Sequence, residues 1–191
     1  MSINLIIMGV QGSGKGTQAA KLSESDGLLH VSTGDLFRAL RTREDELAKK
    51  IQAIMASGNL VSDQDTNDVL KDHLERTPHE KGVIFDGYPR NKAQAEWLET
   101  YLASKGETLT CVLLLELDLY VAFKRTFGRV SAQDGKVYNI YTNADEIDYK
   151  FVDDEAKIFP ARVEAKLKAT GESMIRRLDD ANAGAILKRM D

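Results

Sequence analysis

The sequence predicts an α/β fold, a doubly wound parallel sheet, from three observations. Short apolar runs alternate with helix-forming stretches, which implies right-handed crossovers between parallel strands. A glycine-rich loop joins the first apolar run to the first helix. A polar stretch near residues 128–178 breaks the alternation and reads as an insertion.

The expected strands are Ile3–Met8, Leu28–Val31, Val83–Phe85 and Cys111–Leu117, each short and apolar enough to be buried on both faces. Between them, residues 15–24, 35–56, 64–76 and 91–104 carry helix formers with apolar residues at three- and four-residue spacing. In the polar stretch, Asp134-Gly135 and Thr170-Gly171 are turn signals. Residues 135–141 suit a small strand pair, and 153–169 a charged helix that Pro160 breaks or starts. A last helix is expected over Ala181–Met190.

Composition narrows the classes. Of 191 residues 42% are apolar and 29% charged, as in an ordinary globular protein. The net charge of −4 argues against nucleic-acid binding through a general basic surface. A single cysteine, Cys111, permits no internal disulfide and no cysteine-based zinc site. The first apolar run lacks a basic flank and is too short to span a bilayer, so no membrane association and a cytoplasmic location are expected.

The strongest motif is Gly9-Val10-Gln11-Gly12-Ser13-Gly14-Lys15-Gly16-Thr17, after a strand and opening a helix. Glycines let successive backbone N–H groups turn toward one centre, and the helix N-terminus adds a favourable dipole. Lys15 supplies a mobile positive charge for outer phosphates. The expected phosphate cradle is therefore Gly12, Ser13, Gly14, Lys15, Gly16 and Thr17, on a P-loop NTPase-type core. A dinucleotide fingerprint is excluded, because a third glycine would be needed where Thr17 stands.

Three further segments, in order, complete a resemblance to the adenylate kinase family, within the nucleoside monophosphate kinases. They are Ser32-Thr33-Gly34-Asp35-Leu36-Phe37-Arg38, Asp86-Gly87-Tyr88-Pro89-Arg90 with Gln94, and Arg125-Thr126-Phe127-Gly128-Arg129. The Gly-Lys-Gly-Thr ending of the loop is the form that family uses. The resemblance implies phosphoryl transfer from MgATP to AMP, giving two ADP and maintaining adenine nucleotide balance. ATP, AMP and ADP are then the partners, and the protein is a monomer.

The same resemblance distributes roles. Lys15, Arg90, Arg125, Arg129 and Arg177 would be catalytic, clamping charge that spreads over phosphoryl oxygens. Arg125, Arg129 and Tyr138 would contact ATP. Thr33, Gly34, Arg38, Leu60, Val61, Gly87, Arg90, Gln94 and Arg177 would hold AMP. Gln94 would meet the adenine edge, and Leu60 and Val61, in the segment Gly58-Asn59-Leu60-Val61, would wall the ring. Asp86 would fix Mg²⁺ through its waters. The last basic ligand falls at Lys188 or Arg189. Tyr88 and Trp97 are expected to pack rather than touch substrate.

The implied organisation is a core of 1–31, 62–127 and 179–191, with an AMP-binding helical insertion at 32–61 and a lid at 128–178. The implied strand order is 2-3-1-4. The sequence departs from the family at Gln11, where a proline is common. The lid lacks the four-cysteine zinc site, so no structural zinc is expected; Ser131 and Asp134 are candidates for lid hydrogen bonds. The family's fifth strand and closing helix have no counterpart after Ala181–Met190, which predicts an exposed apolar edge at 111–117. Two other readings are a UMP/CMP kinase and a nucleotide-binding protein without turnover.

Overall fold

The computed structural model describes residues 2–57, 60–153, 162–177, 182–188 and 190. Its first strands and helices are β1 (Asn4–Gly9), α1 (Lys15–Asp26), β2 (Leu29–Ser32), α2 (Thr33–Ala39), α3 (Glu46–Ala56), α4 (Asp63–Arg76), β3 (Val83–Asp86), α5 (Lys92–Ser104) and β4 (Leu109–Leu115). They are followed by α6 (Leu119–Phe127), β5 (Arg129–Ser131), β6 (Val137–Asn139), β7 (Ile147–Val152), β8 (Arg162–Leu167) and α7 (Ala183–Leu187). The chain divides into two compact units, Met1–Met8 with Gly14–Leu115, and Gly9–Ser13 with Glu116–Asp191.

In the first unit the sheet order is β2-β3-β1-β4, as the family resemblance implied. β3 pairs in parallel with β1, Leu5 opposite Ile84, and with β2, Val31 opposite Phe85. Alternate residues feed two cores. Ile6, Val31 and Phe85 join Leu70, Leu74 and Leu98 of α4 and α5. Leu5, Ile7 and Ile84 join Ala19 of α1 and Leu28. Both faces being apolar, these strands read as continuous hydrophobic runs, and each buried aliphatic side chain stabilises by about 1.5–3 kcal/mol. Tyr88 belongs to the first core, with Trp97 packed against it at 6.4 Å between rings.

β4 differs. It lies at the sheet edge, and Leu109, Val112, Leu113 and Leu114 are 38%, 49%, 37% and 61% exposed. The expected apolar edge is present, shifted two residues toward the N-terminus.

The expected helix over 35–56 is two helices. A 3-10 turn at Leu40–Thr42 ends α2, and Arg43 is extended. Asp45 then caps α3, its carboxylate accepting from Ala48 N at 3.1 Å. The cap satisfies a backbone donor that a continuous helix would have paired internally, so local polar chemistry overrides the apolar periodicity. Gln52 Nε2 closes the break, donating to the Leu40 and Arg43 carbonyls at 2.6 and 2.8 Å.

In the second unit, Phe127, Val130, Tyr138, Ile147, Val163, Ala165, Ala183 and Ile186 form one core. β5 and β6 pair antiparallel; only β6 falls within the 135–141 stretch expected to hold a strand pair, and its partner is Arg129–Ser131. The charged helix expected over 153–169 is corrected: Arg162–Leu167 is a strand, paired antiparallel with β7 from Ile147 opposite Leu167 to Val152 opposite Arg162. Val163 and Ala165 are 2% and 6% exposed while Arg162, Glu164 and Lys166 face solvent. That alternation is the period of a strand, and the partner strand outweighs the helix propensity of Glu, Ala and Lys. Pro160 lies outside the described residues. α7 spans five residues of the stretch expected to be helical.

Candidate active site

The glycine-rich loop turns where its glycines require. Gly9, Gly12 and Gly14 have φ of 144°, 87° and 98°, the left-handed region that side chains disfavour. Gly12 has no room for a side chain either: a Cβ there would stand 2.6 Å from the Ala122 carbonyl oxygen. Gly14 is the N-cap of α1 and, having no side chain, offers no side-chain cap to its first turn. Lys15 is the first residue of that helix.

Lys15 is half-buried. Burial pulls its ammonium below the ordinary value of 10.5, Asp86 opposes this, and Arg90 adds to it. Asp86 ends β3, and its side chain is 12% exposed. Its Oδ2 lies 3.3 Å from His30 Nε2 on β2, a neighbour the sequence analysis did not single out. A Cβ on Gly16 would stand 3.5 Å from the same carboxylate, an ordinary contact that places the residue after Lys15 beside Asp86.

A second group gathers at the start of α2 and after β3. Thr33 Oγ1 donates to the Gly87 carbonyl at 3.1 Å, and Arg90 Nε donates to the same carbonyl at 3.0 Å. Arg90 Nη2 reaches Thr33 Oγ1 at 3.3 Å. Gly87 has φ of 75°, and a Cβ there would press on Thr33. Arg38 lies over Gly34 and is ion-paired with Asp35. Thus Thr33, Gly87 and Arg90 are brought together, and Gly34 and Arg38 share the first turns of α2.

The base-reading residues are placed as follows. Gln94 is 4% exposed in the first turn of α5, with Oε1 accepting from Arg90 N at 2.8 Å. Leu60 is 96% exposed, while Val61 packs against Leu40, Ile51 and Val69. Gly58 and Asn59 lie outside the described residues. Phe37 and Met55 line a cavity of about 300 Å³ beside Leu40 and Gln52, an apolar wall to which the motifs gave no role.

In the second unit, Arg125 and Arg177 are exposed and Arg129 is partly exposed on β5. Arg177's neighbour Arg176 is bound instead, Nη2 donating to the Phe127 carbonyl at 2.7 Å with the guanidinium over the Phe127 ring. Tyr138, expected at ATP, is 3% exposed; its hydroxyl donates to Glu146 at 2.8 Å and Lys136 covers its ring. It belongs to the interior of this unit because its aromatic body fills the core while Glu146 satisfies its hydroxyl. Asp134 accepts from Lys136 N at 2.8 Å, and Ser131 pairs with Ile175 through its backbone. Lys188 is exposed at the end of α7, and Arg189 lies outside the described residues.

A family model described as "Adenylate kinase" matches residues 7–191. The "Adenylate kinase" of Anaeromyxobacter sp. (strain Fw109-5) is 46% identical over 140 residues, 73% of this chain and 65% of that protein. That of Shouchella clausii is 39% identical over 179 residues, 93% of this chain and 75% of the relative. That of Thermoanaerobacter sp. (strain X514) is 38% identical over 190 residues, 99% of this chain and 80% of the relative. The chain therefore spans just under two thirds of the first of these relatives.

Proposed function

Because this chain belongs to the adenylate kinase family, we propose that it carries out that family's reaction, phosphoryl transfer from MgATP to AMP giving two ADP. The observation that supports this best is the group Thr33, Gly87 and Arg90, with Gln94 beside it and Lys15 and Asp86 in the same unit. It offers a guanidinium for a phosphate and an amide for a base, next to a lysine on a phosphate loop.

In this reading the loop of Gly12, Ser13, Gly14, Lys15, Gly16 and Thr17 holds the ATP phosphates. Lys15 follows the charge onto the migrating group, and Arg125, Arg129 and Arg177 neutralise it further. Arg38 and Arg90 hold the AMP phosphate through planar forks. No general base is needed, since the acceptor oxygen is already anionic. Leu60 and Val61 flank the adenine, and the large exposure of Leu60 is what a wall waiting for a ring would show. Lys188 is the remaining candidate for a phosphate contact.

Mg²⁺ would arrive with ATP. The partly buried carboxylate of Asp86 fits a hydrated magnesium, accepting from its waters. Bound there, the ion would neutralise and orient the outer phosphates. The three-part organisation of core, AMP-binding insertion at 32–61 and lid at 128–178 remains our assignment, as does a cytoplasmic, monomeric protein. Among the described residues no helix is long and apolar enough to cross a membrane.

Turnover assays with ATP and each of AMP, UMP and CMP test the reading. AMP should be the preferred acceptor and ADP the product. Faster turnover of UMP or CMP, or ATP binding with no transfer to any of the three, would overturn it.

A further inference from the structure

A primary amide that reads a base must present its oxygen and nitrogen in the right order, and the two ends differ little in shape. Something must hold Gln94 against a flip. Its amide has two lone pairs on Oε1 and two hydrogens on Nε2. Oε1 accepts from Arg90 N at 2.8 Å. Nε2 donates to Asp63 Oδ1 at 2.6 Å. A backbone N–H can only donate and an ionised carboxylate can only accept. These two contacts therefore admit one orientation and oppose the other.

Asp63 is itself fixed. Asn91 Nδ2 lies 2.9 and 3.0 Å from its two oxygens, bridging the first turn of α4 to the residue that caps α5. Asn91 Oδ1 accepts from Gln94 N at 2.9 Å, and the Gln94 carbonyl accepts from the Tyr88 hydroxyl at 3.2 Å. Backbone and side chain of Gln94 are thus both held, and Asp63 is the part of the clamp that names the nitrogen.

After these contacts the amide retains one lone pair on Oε1 and one hydrogen on Nε2. That remainder complements a base edge with a donor at C6 and an acceptor at N1, which is adenine. It opposes hypoxanthine and guanine, with an acceptor at C6 and a donor at N1. Uracil is opposed for the same reason, whereas cytosine shares the adenine pattern and would be selected against by ring size. We propose that Asp63 is a positioning residue for base selection: it locks the Gln94 amide in the orientation that accepts adenine and refuses the reversed edge. This rests on the AMP reading above.

IMP is the decisive probe, because it matches AMP in size and reverses the edge. The experiment measures kcat/KM for AMP and IMP with ATP as donor, and both binding constants by calorimetry, for wild type, Asp63→Ala and Asp63→Asn. Wild type should prefer AMP by about 100-fold or more. In Asp63→Ala the contact that fixes the amide nitrogen is gone and only Arg90 N still opposes a flip, so the AMP/IMP ratio should fall about 10-fold or more. Asp63→Asn keeps an acceptor oxygen and should restore the ratio to within about threefold of wild type. Equal losses for AMP and IMP in Asp63→Ala, leaving the ratio unmoved, would overturn the inference and reduce Asp63 to a structural contact. A wild type that binds AMP without turning it over removes only the catalytic reading, and the binding ratio still decides the role of Asp63. A wild type that binds neither nucleotide overturns both.

Discussion

Arg43 Nη1 lies 2.9 Å from Asp72 Oδ2, an ion pair that ties the break between α2 and α3 to the middle of α4. Arg43 Nε also meets Asp45, the α3 cap, at 2.7 Å, and Asp72 also meets Arg76 Nε at 2.7 Å. The Arg43 and Asp72 side chains are 29% and 18% exposed, so solvent screens the pair only in part. A double-mutant cycle of Arg43→Ala and Asp72→Ala, read by urea denaturation, should give a coupling of about 0.5–1.5 kcal/mol. A coupling indistinguishable from zero would mean that the Arg43–Asp72 pair does not stabilise this link.

Lys15→Met should lower kcat by about 100-fold or more, roughly 3 kcal/mol, with little change in melting temperature. The ammonium acts on charge, and only the protonated form can do so. Since burial holds its pKa below 10.5, activity should be full at neutral pH and fall on an alkaline limb centred below that value. An alkaline limb that persists in Lys15→Met, read from the residual rate, would assign the titration to another group.

The two loop glycines separate strain from space. Gly14→Ala meets only an unfavourable φ, since nothing stands within 4 Å of the added carbon, and should cost about 1 kcal/mol. Gly12→Ala meets the same strain and the Ala122 carbonyl as well, so it should cost about 1–3 kcal/mol more. Equal melting temperatures for the two variants would contradict the close approach at Gly12.

Glu146 accepts from Lys136 at 2.9 Å and from the Tyr138 hydroxyl at 2.8 Å, and both hold its carboxyl below the ordinary 4.5. A carboxylate with a depressed folded-state pKa adds stability above its unfolded value and loses it as pH falls through the folded one. Wild type should therefore melt above Glu146→Gln at pH 7, and the gap should close as pH drops below about 4.5. A gap independent of pH between 7 and 3 would show that charge is not what Glu146 contributes.

Strands β1, β2 and β3 were legible because apolar runs in a sheet interior need no partner to be recognised, as at Ile84 and Phe85. β8 was not, because Glu164, Ala165 and Lys166 favour a helix and their pairing with Tyr149 and Lys150 is visible only in space. α6 was missed for a different reason: Leu119, Tyr120 and Val121 are apolar yet exposed, which blurs the contrast between a buried and a solvent face. Arg90 and Gln94 carry a motif, whereas Asp63 stands 31 residues away from Gln94 and no spacing rule connects them. His30 likewise meets Asp86 across two strands that are distant in sequence. Local chemistry and periodicity were readable; partners supplied by other elements were not.

The sheet's graded burial has a kinetic consequence. Amide deuteration should divide it by strand. Ile84 and Phe85, fully buried and paired on both sides, should exchange only when the unit opens globally. Along β4, alternate residues turn their N–H groups away from β1 toward solvent and should exchange within seconds to minutes, while their neighbours in the ladder stay protected. The sheet would then carry a ruled pattern of fast and slow amides on one flank, a signature of an edge that mass spectrometry or NMR can read strand by strand.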